Sequence, residues 1–182
     1  MGISSFRRMK FLAITYPELS KKDYDLIQRY RKTHDELFYK IIEPHFTLVF
    51  AVDEMLQEDF VEEIKKQLDR VGPINFVIRC ATISKDSFSD HYQAFLVPDE
   101  GYSQIVKLHD RLYSDKLKSE LRLDIDFIPH IGIGRSVDKI NCKTEVDKWN
   151  KTGFEIKGSI SSVDIVSYAN EIITTLEKIV LI

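Results

Sequence analysis

Two short blocks of the sequence, PHFTLVF at residues 44–50 and PHIGIGR at residues 129–135, share one pattern. In each block a histidine follows a proline directly and opens an apolar run, which predicts the start of a strand. The two histidines, His45 and His130, are 85 residues apart (130 − 45), close to half of the 182-residue chain. This spacing indicates an internal repeat.

The elements around the two blocks also recur. Each half of the chain predicts a strand, a helix, a strand that carries the histidine, a helix and a further strand. The predicted strands cover residues 10–16, 45–50, 74–84, 92–97, 125–133 (interrupted by a proline), 154–156, 161–167 and 172–182, and the predicted helices cover 20–40, 55–71, 102–121 and 141–151. We therefore expect a single α+β domain over residues 1–182, in which the halves pack as two pseudo-symmetric lobes with outer helices.

Composition restricts the class of protein. Hydrophobic residues make up 43% of the chain and charged residues 30%, which is typical of a globular protein and excludes a disordered one. The net charge of −3 argues against a protein that coats long duplex nucleic acid. The apolar run 11–16 is too short for a signal peptide or a membrane span, and Met1-Gly2 lacks the Ser or Thr at position 6 that myristoylation needs. With two isolated cysteines, Cys80 and Cys142, we expect a cytoplasmic protein with reduced thiols.

Alternation along the strands predicts what each block presents. Successive side chains of a strand point to opposite faces, so each block has one apolar face and one face that carries the histidine. The faces that carry the histidines comprise His45, Thr47 and Val49 in the first block and His130, Gly132 and Gly134 in the second. If these faces turn toward each other, both imidazoles line one narrow cleft.

Two histidines in one cleft suit the cleavage of a phosphodiester without a metal. A neutral imidazole can accept a proton from water, a protonated one can donate a proton to the leaving oxygen, and both forms exist near neutral pH. The hydroxyl of Thr47 can donate to a phosphoryl oxygen as charge develops. No carboxylate or cysteine stands at metal-ligand spacing from the histidines, so we expect neither a metal nor a cofactor.

On these residues the chain resembles the two-histidine phosphoesterase superfamily, which includes 2′-5′ RNA ligase-like proteins and cyclic phosphodiesterases. Members carry two His-x-Thr/Ser motifs, and His45, Thr47 and His130 match these positions. The resemblance implies a bilobal fold whose two antiparallel sheets line a central cleft. It also implies metal-independent hydrolysis of 2′,3′-cyclic phosphates or 2′-5′ linkages, with an RNA end or a nucleotide phosphate as the partner.

One position departs from that pattern, because Gly132 stands where the family has Thr or Ser. Losing one such donor typically costs about 10²- to 10³-fold in rate. Backbone N–H groups near Gly132, or the guanidinium of Arg135, could replace the contact, although Arg135 reaches the cleft only if the strand ends or bulges. The glycines fit tight backbone packing equally well. Three alternatives therefore stay open: an active enzyme, a nucleotide-binding module without turnover, and a metal-dependent hydrolase.

Other aromatic and histidine residues have weaker patterns. Tyr16 and Tyr168 lie at or near the ends of predicted strands, where they could stack on a base or simply lie half-buried in a sheet. His34 and His109 fall in predicted helices, and we expect both to be structural. His91 opens a strand next to an aspartate and is predicted to be a solvated turn residue.

Overall fold

The computed structural model describes residues 9–87 and 89–182, so the predictions on the Met1-Gly2 start lie outside the described residues. The strands are β1 (Lys10–Thr15), β2 (Glu18–Leu19), β3 (Phe46–Val52), β4 (Ile74–Lys85), β5 (Tyr92–Glu100), β6 (Ile131–Ser136), β7 (Ile156–Ile160), β8 (Ser162–Ala169) and β9 (Ile172–Val180). The helices are α1 (Lys21–His34), α2 (Glu36–Tyr39), α3 (Gln57–Leu68), α4 (Tyr102–Leu112) and α5 (Lys139–Lys151), with a 3₁₀ helix at Asp115–Glu120. None of the helices in these ranges is both long and apolar enough to cross a bilayer.

The strands form two antiparallel sheets, which confirms the predicted α+β class. The first sheet has the strand order β3-β1-β8-β9 and the second the order β2-β7-β4-β5-β6. Each histidine block leads into a strand at the edge of its sheet, β3 in the first and β6 in the second. The two edge strands therefore hold equivalent positions in the two sheets.

The boundary between the sheets differs from the boundary between the sequence halves. Strand β4, which closes the first half, pairs with β5 and β7 of the second sheet, whereas β8 and β9 from the end of the chain join β1 in the first. The helices cross in the same way: α1 packs on β6, and α4 packs on β3. Each lobe thus combines segments of both halves.

Two predicted helices are shorter than expected. The helix predicted over 20–40 begins as expected, since the Ser20 hydroxyl accepts a hydrogen bond from the Asp23 N–H at 3.1 Å, but it breaks at Asp35, where φ is −136°. The helix predicted over 102–121 ends at Leu112, and the chain resumes as the 3₁₀ helix that begins at Asp115, whose φ is +47°. The breaks come from local backbone conformation, which periodicity does not report.

The strand predicted over 125–133 is wrong in its first part. Strand β6 starts only at Ile131, and residues 125–130 carry no strand pairing. Pro129 has no N–H to donate to a strand ladder, so the chain cannot pair until it has passed the proline. The strand β2 was not predicted, because a pair of residues is too short to show alternation.

Both histidine strands contain a bulge three residues after the histidine. Opposite β1, Ala13 faces Val49 while its neighbour Ile14 faces Thr47, so Leu48 is an extra residue. The same shift on β6 makes Ile133 the extra residue. A bulge inserts one residue and reverses the alternation of side chains between the two faces beyond it. The strict alternation predicted for the two blocks is therefore wrong beyond Thr47 in the first and beyond Gly132 in the second.

Candidate active site

Both histidine rings are held by the same backbone contact. The Nδ1 of His45 lies 2.8 Å from the carbonyl oxygen of Glu43, and the Nδ1 of His130 lies 2.5 Å from that of Ile128. A carbonyl can only accept, so each Nδ1 carries the proton and each Nε2 has a free lone pair in the neutral ring. The intervening proline in each block turns the chain back so that the imidazole meets the carbonyl two residues earlier.

Both imidazoles line one cavity of about 280 Å³, as the sequence predicts. Burial in the cleft lowers the pKa of His130 to about 4. Burial also lowers the pKa of His45 to about 4, with further lowering by the positive charges of His130 and Arg31. Near neutral pH both rings are therefore neutral, and each Nε2 is ready to accept a proton.

The rings differ in their aromatic neighbours. His130 is stacked on Phe95, with ring centroids 3.5 Å apart and an interplanar angle of 20°. His45 meets Tyr16 edge-on at 6.4 Å. Stacking on a residue of the neighbouring strand β5 fixes the plane of His130 more tightly than an edge contact fixes His45.

The residues two positions after each histidine both face the cavity. Thr47 lines it, and within the described ranges its hydroxyl has no hydrogen-bond partner, so it is available to a ligand. Gly132 lines the same cavity, and a Cβ built on it would meet no atom within 4 Å. The tight-packing interpretation is therefore wrong for Gly132.

Tight packing holds instead for the next glycine of the block. A Cβ on Gly134 would lie 3.2 Å from the Cβ of His34 on α1, so this glycine lets the helix approach β6. Because of the bulges, Gly134 faces the helix and Val49 is fully buried in the main core, and neither shares the cleft face as predicted. The two glycines of the block thus have different roles.

Arg135 does not line the cavity that holds the two histidines. Its Nη2 donates to Asp86 at 3.2 Å and to the Ser89 hydroxyl at 3.1 Å, and its guanidinium lies 5.1 Å from the ring centre of Phe38. The bulge does turn it to the same face as its pairing partner Gln93, which lines the cavity. The guanidinium therefore lies beside the cleft and is held by an ion pair.

The cleft has two arms of opposite character. The first is the 280 Å³ cavity, whose walls are mostly apolar, formed by Leu12, Ile14, Phe38, Ile41, Ile42, Val166, Tyr168 and Ile173. The second, of about 200 Å³, has polar walls that include Ser84, Lys85, Asp86, Ser87 and Asp126. Thr47, Gln93 and His130 line both arms, so the two arms meet at these residues.

Sequence reasoning missed a buried ion pair in the wall of the apolar arm. Arg31 and Asp35 both line it, and their side chains are 2% and 7% exposed. Arg31 follows the buried Ile27 by one helical turn, so a charge on the apolar stripe of α1 was the signal that could have revealed it. Gln93 was missed because nothing in its strand distinguishes it.

The remaining predicted residues have varied positions. Tyr168 lines the apolar arm, whereas Tyr16 lies against His45 outside the cavity lining. His109 is structural as predicted: its Nδ1 lies 2.7 Å from the carbonyl of the bulge residue Leu48. His34 also has structural contacts, with Glu145 at 3.2 Å from its Nε2.

The other predicted histidine and the cysteines are simpler. His91 lies in a turn, with Ser89 bound to its ring and backbone. Cys80 is exposed, Cys142 is buried, and both are free thiols. Across the described part of the chain, no group of three or more histidine, cysteine or acidic side chains is arranged to hold a metal ion.

Comparison with known proteins gives one family and one fold. The sequence profile of the 2′-5′ RNA ligase superfamily matches residues 17–171. Apo LigT of E. coli has a TM-score of 0.55 at 15% identity, covering 96% of this chain and 98% of its own. LigT complexed with 3′-AMP has a TM-score of 0.56 at 14% identity, covering 96% of this chain and 99% of its own. Usb1 of Kluyveromyces marxianus has a TM-score of 0.54 at 7% identity, covering 93% of this chain and 97% of its own. No curated protein sequence matches the chain.

Proposed function

This chain belongs to the 2′-5′ RNA ligase superfamily, and we propose that it is a metal-independent phosphoesterase that hydrolyses a 2′,3′-cyclic phosphate or a 2′-5′ phosphodiester at an RNA end or a nucleotide. His45, Thr47 and His130 carry the reaction. The observation that supports this most directly is the matched pair of imidazoles, each with its Nδ1 on a carbonyl two residues back, which line the same cavity.

The charges around the two rings favour different roles for them. Arg31 lines the same cavity, and its positive charge is one of the causes that lower the pKa of His45, so we assign His45 as the base. His130 is the easier ring to protonate once a phosphate anion has entered, because an anion raises the pKa of a neighbouring imidazole. His130 is then the acid.

The reaction needs one water and no other reactant. The Nε2 of His45 takes a proton from the water, and the water oxygen forms a bond to phosphorus. The bond between phosphorus and one ribose oxygen breaks, and the Nε2–H of His130 gives its proton to that oxygen. The product is a phosphomonoester, and exchange of one proton with solvent restores both rings.

The Thr47 hydroxyl stabilises the charge that develops on a phosphoryl oxygen. A donor aimed at developing charge is typically worth about 10²- to 10³-fold in rate. Gly132 supplies no matching side-chain donor from the other strand. We therefore expect a slow enzyme compared with one that has a hydroxyl at both positions.

The partner that fits the cleft is a nucleotide phosphate. LigT has been crystallised with 3′-AMP, ATP and NADP⁺, and its fold covers nearly all of this chain. By analogy, the phosphate would lie between Thr47 and His130, where the two arms meet. The absence of a basic excess, with a net charge of −3, favours a short substrate over a long duplex.

Gly132 also favours a second candidate, a binding module that holds a nucleotide or RNA end without turning it over. One experiment separates the two. The protein is incubated with each of the four nucleoside 2′,3′-cyclic monophosphates, with and without chelator, and hydrolysis and binding are both measured. The proposal expects chelator-resistant hydrolysis with a bell-shaped pH dependence. Binding without hydrolysis favours the module, and loss in chelator with rescue by zinc or manganese favours a metal enzyme.

A further inference from the structure

We propose that the apolar arm of the cleft binds the nucleobase and that Asp35 recognises its N–H edge, with guanine as the preferred base. The inference rests on the proposed function for the position of the phosphate. It adds a residue that determines specificity and a choice among the four bases. Asp35 lies at the break between α1 and α2, outside both histidine blocks.

The carboxylate of Asp35 is buried but poorly satisfied. Both of its hydrogen bonds from Arg31, from Nε and from Nη2, reach the same oxygen, Oδ2, and both are long at 3.4 Å. No side chain of the described ranges donates to the other oxygen, Oδ1, and the one further contact from the chain is a weak one from the Phe38 N–H at the start of α2. Asp35 is 5% exposed and lines the cavity, so a ligand there can supply the missing donor.

Burial raises the pKa of Asp35, against the lowering effect of Arg31 and, to a smaller extent, of Arg135 and the Phe38 N–H. The long Arg31 contacts and the Phe38 N–H do not offset the cost of burying this carboxylate, so a further donor would stabilise its charge. A buried charge whose hydrogen bonds are incomplete is costly, so a ligand that completes them gains affinity. The missing partner is an N–H or O–H group of the ligand.

Arg31 offers a complementary donor beside this acceptor. Its Nη1 donates to Gln28 at 3.0 Å and its Nη2 to the Ile42 carbonyl at 2.8 Å. Each of these nitrogens carries two hydrogens, and one on Nη1 has no acceptor among the residues that the structure describes. The wall of the arm therefore presents an acceptor and a donor next to each other.

The remaining walls favour a flat apolar ligand over a sugar. Aliphatic side chains from β1, β8 and β9 line the arm together with Phe38, Ile41 and Ile42. A ribose hydroxyl could satisfy Asp35, but a sugar would leave its other hydroxyls against aliphatic walls. A nucleobase has apolar faces and a polar edge, which matches this arrangement. Its size also suits a cavity of about 280 Å³.

Guanine is the base that completes the most hydrogen bonds. It carries two adjacent donors, N1–H and the N2 amino group, next to an acceptor, O6. The donors suit the carboxylate of Asp35, and O6 suits the spare N–H of Arg31. Adenine, cytosine and uracil each offer one donor group beside an acceptor. One additional charge-assisted hydrogen bond corresponds to about tenfold or more in Kd.

The test measures binding of the four nucleoside 3′-monophosphates by calorimetry, so it does not depend on turnover. We expect 3′-GMP to bind about tenfold more tightly than 3′-UMP. Asp35→Asn should remove this preference, because the amide has neither the charge nor the second acceptor. The matched control is Asp126→Asn, which alters a carboxylate that lines the polar arm and should keep the preference.

A second variant leaves the buried ion pair intact, in case Asp35→Asn unfolds the protein. Ile173→Trp fills the apolar arm, and it should weaken binding of all four nucleotides while binding of inorganic phosphate is unchanged. Equal binding of the four nucleotides by the wild type overturns the inference, as does a preference that depends on Asp126. Failure to hydrolyse any cyclic nucleotide would contradict the proposed function alone, since the base preference is measured by binding of nucleoside monophosphates and needs no turnover.

Discussion

The two histidine blocks share a backbone and differ in their side chains. In both, a proline precedes the histidine, the ring binds the carbonyl two residues earlier, and a bulge follows at the third position. The position two residues after the histidine is Thr47 in one block and Gly132 in the other. The position five residues after the histidine is Phe50 in the first block and Arg135 in the second.

The difference teaches that the orientation of the imidazoles and the supply of phosphate donors are separate properties. The orientation comes from backbone geometry that both blocks adopt, so it does not depend on the neighbouring side chains. The donors come from single side chains, and only one block has a hydroxyl there. A cleft can therefore keep both imidazoles in place while it loses a side-chain hydroxyl on one side.

The largest expected effect is the loss of either histidine. His45→Ala or His130→Ala should each lower the hydrolysis rate by about 10²- to 10⁴-fold, because acid and base act in the same step. The double variant should be little slower than each single one, since paired groups are not additive. Rates on a 2′,3′-cyclic nucleotide measure this, with His91→Ala as the control in a turn. A normal rate in one single variant would break the equivalence of the two blocks.

The next effect concerns the unmatched position. Thr47→Ala should slow turnover by about 10²- to 10³-fold with little change in stability. Gly132→Ser should raise turnover, because it restores a donor on the second strand, and the open space around Gly132 admits the side chain. Rates and melting temperatures are measured together. Two folded variants with wild-type rates would mean that the phosphate lies elsewhere.

The neighbouring glycine provides the structural counterpart. Gly134→Ala should cost about 1–3 kcal/mol of unfolding free energy, because the new methyl meets the Cβ of His34 at 3.2 Å. The activity of the folded fraction should be unchanged, since this face is turned away from the cleft. Urea denaturation monitored by circular dichroism measures the first quantity. An unchanged midpoint would show that α1 can move aside.

The last expected effect is a dependence of stability on pH. Both histidines have a folded pKa of about 4 against an ordinary value of 6.5. Between these values the unfolded chain binds more protons, so stability is complete above about pH 6.5 and falls as the pH drops toward 4. The melting temperature should decline over this window, and less steeply in His45→Gln and His130→Gln. Equal slopes in wild type and both variants would contradict the burial of the two rings.

The sequence predicted the α+β class and both imidazoles in one cavity, because proline followed by histidine at a strand start is a local signal. It did not predict the bulges at Leu48 and Ile133. Both bulge residues are apolar members of apolar runs, so composition cannot distinguish an inserted residue from a paired one. Because the bulges were not predicted, Val49 and Gly134 were assigned to the wrong face of their strands.

The buried pair Arg31 and Asp35 escaped prediction for a different reason. Charged residues on an amphipathic helix are usually solvated, and only the place of Arg31 on the stripe of Ile27 indicated otherwise. The exchange of strands between the halves was also hidden. Element order says which strands exist, whereas pairing depends on contacts between residues far apart in the chain.

That exchange has a consequence for the order in which the protein can fold during synthesis. Strand β1 pairs with β8, so Lys10 cannot pair with its partner Tyr168 until a further 158 residues (168 − 10) have been translated. At a translation rate of roughly 5–20 residues per second, β1 spends many seconds without this neighbour. The strand that carries the first histidine lies at the edge beyond β1, so its sheet is incomplete throughout that interval. The first histidine block to be translated is therefore secured by strands that the ribosome makes long after it.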